Sequence, residues 1–427
     1  MKTFIDFFSF SDPNVRFVVL GMILMGIGSA TIGTFAFLRK RALTGDAIAH
    51  SVLPGVCLAF LLFDTKNLWV LLCGAFITGW LSILFVDLIT KKSKLKADAA
   101  IGITLSVFFG FGILLLTYIQ QTGNAAQSGL NNFLFGKAAA MSIADIKTIG
   151  IVSLLLITLV IIFFKELAAF SFDPDYAKTS GLPVNFLELL LTTLTVLAVA
   201  VGIQAVGVVL MAALLITPSA AAKYWTDNLK KMIALSIVFS VLGGITGAYV
   251  SFANNKMPTG PWIVTMTSLI ALFSILFAPK KGIVSKVITR KKYQSKMLME
   301  NILKEFYHLE EKNPQLQYFT IHEVLSEREM QSWNYKKGLR MLLRKNLLET
   351  LNGEYFLTDE GRNEGKRITR IHRLWEMYLT QQLNIASDHV HDDAEAIEHI
   401  ITPEIEKKLI EMLNFPDKDP HEKVIPY

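Results

Sequence analysis

A chain of 427 residues that is 52% hydrophobic and 18% charged is too long and too apolar for one small soluble domain, and its two cysteines, Cys57 and Cys73, lie in apolar runs that exclude a disulfide scaffold. The net charge of +6 is unevenly placed: residues 1–280 hold 19 Lys/Arg and 12 Asp/Glu, whereas 281–427 hold 23 and 24. This predicts a membrane body followed by a soluble, charge-rich tail. Met1–Arg16 lacks the basic-then-apolar pattern and small-residue cleavage site of a removable leader, so none is expected.

A helix needs about 20 mostly apolar residues to cross a bilayer. Such stretches fall near 15–38, 46–63, 67–90, 97–119, 147–164, 186–202, 206–222, 232–251 and 261–278, about nine spans, the two around Gly202–Gln204 being short. Basic clusters (Arg39/Lys40/Arg41, Lys91/Lys92/Lys94/Lys96, Lys165/Lys178, Lys223/Lys230/Lys231, Lys280/Lys281) occupy alternate loops. Excess Lys/Arg marks the cytoplasmic side. The N-terminus is therefore expected outside and the tail in the cytoplasm, which requires an odd number of spans.

Asp46 and His50 open the second span in Thr44-Gly-Asp-Ala-Ile-Ala-His-Ser-Val-Leu-Pro-Gly55. Their i,i+4 spacing puts a carboxylate and an imidazole on one helix face. A carboxylate in a bilayer costs roughly 2.5–3.5 kcal/mol on insertion scales and normally faces a partner or a polar path. Two readings fit: a cation path, completed by a second copy of the pair across a dimer axis, or a helix cap plus a bond to a neighbouring helix. Further on, Asp173 suits an N-cap, Pro174 a first helical turn next to Asp175, and Gly181 before Pro183 a helix stop. That predicts a short capped helix between two spans.

Arg41-Ala-Leu-Thr-Gly-Asp-Ala-Ile-Ala-His-Ser-Val-Leu-Pro-Gly-Val, Leu134-Phe-Gly136, Phe172-Asp-Pro-Asp-Tyr-Ala-Lys-Thr-Ser-Gly-Leu-Pro183 and Val206-Gly-Val-Val-Leu-Met-Ala-Ala-Leu-Leu-Ile-Thr-Pro218 occur in order. Over about residues 10–280 the chain resembles the permeases of manganese, zinc and iron ABC importers. The resemblance implies that Asp46 and His50 contact the ion in transit and that Asp173, Pro174, Asp175, Gly181 and Pro183 face an ATPase. It also implies three partners: an ABC ATPase subunit, a second permease copy or paralogue, and an extracellular metal-binding protein. No G-x-x-x-x-G-K-[ST] phosphate loop is present, so this chain binds no nucleotide of its own and is not expected to be an enzyme.

After a basic linker over 281–296, residues 296–311 have helical apolar spacing. Helices near 320–328 and 334–347 and a hairpin turning at Asn352-Gly353 then predict a winged helix over 297–358. Its second helix carries Lys336, Lys337, Arg340 and Arg344, which suits DNA, though a basic winged helix is also used for protein contacts. Residues 359–427 predict a long helix, about Asp359–Leu383, and a second His/Glu-rich helix pair. His372 and Glu376 share one face, as do Glu395, Glu398 and His399, and His391 lies between them in sequence. Imidazoles and carboxylates suit first-row divalent metals, although helix-surface ion pairs have the same composition.

From about Met297 to Pro426 the tail resembles the diphtheria-toxin-repressor-like metal-dependent regulators. The resemblance is carried by Tyr307-His-Leu-Glu-Glu, Leu357-Thr-Asp-Glu-Gly, His372-Arg-Leu-Trp-Glu, Val390-His-Asp-Asp-Ala-Glu-Ala-Ile-Glu-His and Asp419-Pro-His. It implies metal ligation by His372, Glu376, His391, Glu395, Glu398 and His399, with Glu395 pointing to manganese. Asn301 and Lys304 stand where the family has further ligands, and an ammonium cannot be one.

The expected fold is therefore mainly α: a polytopic membrane bundle over 1–280, then a winged-helix domain and helical metal-binding and dimerisation elements. The expected function is the permease subunit, in a bacterial inner membrane among its lipids, of an ABC importer for Mn²⁺, with Zn²⁺ and Fe²⁺ also compatible, and with a metal-sensing tail. The competing reading is a membrane-tethered or released metal-dependent repressor that binds DNA.

Overall fold

The computed structural model describes residues 2–65, 67–121, 136, 138, 141–254, 257–316, 318–326, 332–383, 385, 394–395 and 397–427. The chain forms two compact units, Met1–Ser285 and Lys286–Tyr427.

The first unit is a helical bundle: α1 (Lys2–Phe8), α2 (Pro13–Leu38), α3 (Ala42–Phe63), α4 (Leu68–Lys92), α5 (Ala97–Gln121), α6 (Ile143–Ile162), α7 (Phe164–Phe172), α8 (Pro174–Thr179), α9 (Val184–Val206), α10 (Val208–Trp225), α11 (Leu229–Ala253) and α12 (Thr259–Phe277). Among the described residues, eight of these helices are long and apolar enough to cross a membrane: α2, α3, α4, α5, α6, α9, α11 and α12. Nine spans are expected from the sequence; the ninth, over 206–222, falls on α10, which is not among these eight and whose 18 residues reach about 27 Å at 1.5 Å per residue. It is split from α9 by Gly207 at φ +87°, a conformation that favours glycine.

Caps fix several helix starts. Asp12 and Asn67 accept N–H bonds at the heads of α2 and α4, and Ser142 with Asp145 forms a capping box on α6. Small residues let helices touch. A Cβ on Gly33 would strike the Leu215 carbonyl oxygen, and one on Gly247 would strike Ile263 Cα. The core runs through Phe35, Ile48, Leu53, Leu156, Val199 and Leu215, while Leu62, Leu114, Leu154 and Ile161 face outward as a lipid-covered surface should. Arg41 pairs with Glu188, and Asp227 pairs with both Lys223 and Lys281. Two of the basic clusters, 223–231 and 280–281, thus meet at Asp227.

The second unit begins in α13 (Ile283–Lys312), followed by α14 (Ile321–Ser326), α15 (Ser332–Arg344), β1 (Leu348–Leu351), β2 (Glu354–Leu357), α16 (Asp359–Leu383) and α17 (Pro403–Met412). The stretch expected as a basic linker, 281–296, is helical from Ile283 onward. Strands β1 and β2 pair antiparallel from Leu348↔Leu357 to Leu351↔Glu354. Their two-residue turn has Asn352 at φ +53° and Gly353 at φ +87°, the geometry that suits a twisted hairpin. Ile302, Phe306, Leu339, Leu342, Leu348 and Leu357 form the winged-helix core, and Leu374, Leu409, Leu413 and Ile425 join α16 to α17 and the last segment of the chain.

Candidate functional site

In the membrane unit α3 starts at Ala42, with Arg41 as its cap residue, so Asp46 sits in the second turn and caps nothing. His50 Nε2 lies 3.5 Å from Asp46 Oδ1. The imidazole stands edge-on to Phe109 of α5, with centroids 4.8 Å apart, and its buried Nδ1 has no hydrogen-bond partner. The carboxylate is thus not the cap of α3, and the contact of His50 with the neighbouring helix is to the Phe109 ring. A carboxylate and an imidazole with an open nitrogen make half of a coordination shell for a divalent ion.

The capped turn also forms where the sequence predicts it. Asp173 Oδ1 accepts the N–H groups of Asp175 and Tyr176 at 3.1 and 2.9 Å, Pro174 occupies the first turn of α8, and Gly181 adopts φ +79° just before Pro183 and α9. Phe172 and Tyr176, on either side of the cap, are exposed. Of Leu134-Phe-Gly136, the first two residues lie outside the described residues. Gly136, at φ +76°, rests against Val206 and Gly207.

In the C-terminal unit four of the six expected ligands come together. His372 Nε2 lies 3.1 Å from Glu376 Oε1, and His372 Nδ1 lies 2.6 Å from Glu398 Oε2. His399 Nδ1 lies 2.7 Å from Glu300 Oε2, and its buried Nε2, with no hydrogen bond, lies 3.6 Å from Glu398 Oε1. Glu395 is half-buried, and His391 lies outside the described residues. Lys304, on α13, enters this cluster. Its ammonium donates to both Glu398 oxygens at 2.9 and 3.0 Å and stands 3.2 Å from His372 Nδ1, with the side chain buried.

Burial pulls the His372 imidazole toward neutrality, but its bonds to Glu376 and Glu398 outweigh that and hold its pKa above the ordinary value. Burial likewise raises Glu398, and His372 with Lys304 more than reverses it, so the carboxyl stays below its usual range. Nearby His308 is pushed down to about 3, mainly by burial and then by Lys304.

The residues fit a divalent ion unevenly. Between His372 and Glu398 the charge is already met by Lys304, so that position does not fit one. Asn301 Oδ1 is buried with no hydrogen bond, and His399 Nε2 faces Glu398 Oε1 without bonding it. Glu376, Asp419 and His421 form a further group, with one ligand atom from each lying within 4.8 Å of the others. Sequence reading missed Glu300 and the clasp of Lys304, and it held Asp419 and His421 only as part of a matched segment. On α15, Lys336, Lys337, Arg340 and Arg344 are all exposed.

Residues 11–278 match the ABC 3 transport family, and residues 358–427 match the iron dependent repressor, metal binding and dimerisation domain. The manganese transport system membrane protein MntC of Bacillus subtilis (strain 168) is 41% identical over 389 residues, covering 90% of this chain and 89% of that protein. The zinc transport system membrane protein TroC of Treponema pallidum (strain Nichols) is 41% identical over 66% of this chain and 95% of its own length. Among solved structures, PsaBC from Streptococcus pneumoniae in complex with Fab matches with a TM-score of 0.58 and 34% identity, covering 65% of this chain and 96% of that one. The chain belongs to the ABC 3 transport family of membrane permeases and carries a repressor-type metal binding and dimerisation domain at its C-terminal end.

Proposed function

We propose that this protein is the permease of an ATP-driven importer for a divalent transition metal, manganese first, in a bacterial cytoplasmic membrane. The Asp46–His50 pair carries the reading: a carboxylate and an imidazole share one face of an apolar helix, and the second ring nitrogen is left open. The chain has no phosphate loop, so a separate ATPase subunit supplies the drive. It docks at α8, where the Asp173 cap and the Gly181–Pro183 stop hold a rigid turn between exposed Phe172 and Tyr176. A second permease, of like or related sequence, brings another carboxylate and imidazole to the path, and an extracellular binding protein delivers the ion. A manganese relative and a zinc relative are equally similar, each 41% identical, and Mn²⁺ is put first because the manganese relative matches over 90% of this chain against 66% for the zinc one. The basic loops lie on the cytoplasmic side, and the C-terminal unit lies there with them as a regulatory tail that responds to imported metal.

The test is radiolabelled Mn²⁺ uptake by cells carrying Asp46→Ala or His50→Ala at normal membrane levels. Each variant loses at least nine-tenths of uptake; unchanged uptake in both sinks the reading.

A second reading is supported by the exposed basic face of α15: the tail binds DNA in response to metal. Gel-shift of the full-length protein in detergent with operator fragments, with and without Mn²⁺, tests it. Retention without sequence preference, or indifferent to Mn²⁺, overturns it.

A further inference from the structure

Between the last span and the winged helix the chain carries charge of one sign. No Asp or Glu occurs from 228 to 299, and seven Lys/Arg fall between 280 and 296. The start of this run is held to the bundle. Lys281 pairs with Asp227, the Gly282 N–H donates to the Ala278 carbonyl at 2.9 Å, and Ser285 Oγ donates to the Pro279 carbonyl at 2.5 Å. Helix α13 therefore begins within a tight turn of Phe277, where α12 ends. At 3.6 residues per turn, Ile283, Val284, Val287 and Ile288 fall on one arc of about 140°. All four are exposed, Ile283 at 51% and Ile288 at 61%. Lys286 and Arg290 border one edge of that arc and Lys292 the other, all three exposed. Lys291 lies within the arc one turn on, and its long stem lets the ammonium reach out while the methylenes stay on the apolar side. Exposed Tyr293 follows, a ring with a polar tip. A soluble helix hides such a stripe against its own core, whereas the buried residues of α13 begin only at Met299.

We propose that residues 283–293 of α13 form an interfacial helix on anionic lipid. Ile283, Val284, Val287 and Ile288 enter the headgroup–acyl boundary of the leaflet from which α12 emerges, and Lys286, Arg290 and Lys291 meet lipid phosphates. An amphipathic helix with Lys/Arg beside its apolar face lies in the plane of a membrane surface, drawn by buried apolar area and by anionic headgroups together. A basic cluster directly after a span feels the same attraction, which fades within a Debye length of the surface. Duplex nucleic acid also offers phosphates, but it has no use for the apolar stripe, and a helix that starts one turn from a span is delivered to lipid first. The strap so formed is sensitive to lipid charge: anionic lipid orders the segment that leads from the last span into the winged helix. The assignment does not depend on which ion the bundle carries.

The test is hydrogen exchange of the full-length protein in nanodiscs of phosphatidylcholine alone and of phosphatidylcholine with phosphatidylglycerol in equal parts. Exchange of the amides at 283–296 is expected to slow at least fivefold in the anionic discs, and the difference to shrink in high salt. The triple variant Lys286→Gln/Arg290→Gln/Lys291→Gln removes the difference between the two lipids, and Val287→Ser/Ile288→Ser at least halves it. All five side chains are exposed, and unchanged exchange in α16 reports that the tail is folded. Equal rates in the two lipids overturn the proposal. So does equal slowing by short duplex DNA added to the neutral discs, or slowing that survives in both variants. Mn²⁺ uptake plays no part in this readout, so its outcome stands apart from that of Asp46→Ala and His50→Ala.

Discussion

Asp46 with His50 on α3 and His372 with Glu376 on α16 are both carboxylate–imidazole pairs spaced i,i+4, with closest approaches of 3.5 and 3.1 Å. What differs is the fixed cation. The tail pair sits beside an ammonium, Lys304, that reaches across from α13 and is itself buried. The membrane pair meets an aromatic edge, Phe109, and keeps an open ring nitrogen. A buried charge needs compensation. The tail supplies it from its own chain at Lys304, and on the proposed reading a passing ion supplies it to the membrane pair. Spacing along one helix says which groups share a face; only the neighbouring helices say whether a metal is wanted there.

The sharpest way to break this contrast is to install the missing cation. Phe109→Lys sets an ammonium against the His50 ring and is expected to cut Mn²⁺ uptake below a tenth of normal at unchanged membrane levels by immunoblot. Full uptake would erase the distinction. The converse change is Lys304→Met, which strands Glu398 without its ammonium. Breaking such a buried pair costs about 3–5 kcal/mol, read as more than 100-fold faster hydrogen exchange in α13 and α16; Lys304→Glu should show the same loss, partly recovered by Mn²⁺.

A smaller effect comes from His308, whose pKa falls to about 3 in the folded tail. The unfolded chain takes up a proton that the folded one refuses. His308 therefore costs no stability above about pH 6.5 and destabilises as pH falls from there toward 3, by at most about 1.4 kcal/mol per unit. His308→Gln should flatten that slope in urea unfolding followed by hydrogen exchange of α13. Smallest is Asp173→Ala, which touches neither pair. Losing the cap costs about 1 kcal/mol and should slow uptake severalfold, with Mn²⁺ binding unaltered.

The bundle was legible because lipid-facing helices are apolar over their whole length, and the hairpin because Asn352-Gly353 can adopt two positive φ angles without strain. Asp359–Leu383 likewise reads as one long helix and is one. The helical character of 283–296 was hidden by its run of Lys and Arg, which reads as a linker until Ile283, Val287 and the later apolar positions are seen as one face. The capped turn at Asp173 was readable because every partner is local. The clasp of Lys304 was not, since Glu398 lies 94 positions away, and no local pattern announces a contact across that distance. Asp419 and His421 share that difficulty with Glu376.

Gly55 and Gly74 lie so close that a Cβ on either would strike the other's carbonyl oxygen, at 2.1 and 2.3 Å. Bare backbones pressed together in this way have no side chains to reshuffle, so the two helices cannot slide past each other by changing rotamers. Asp46 and His50 ride on one of them. If a passage opens beside these residues, as the proposed function has it, α3 is expected to carry α4 with it as one rigid pair.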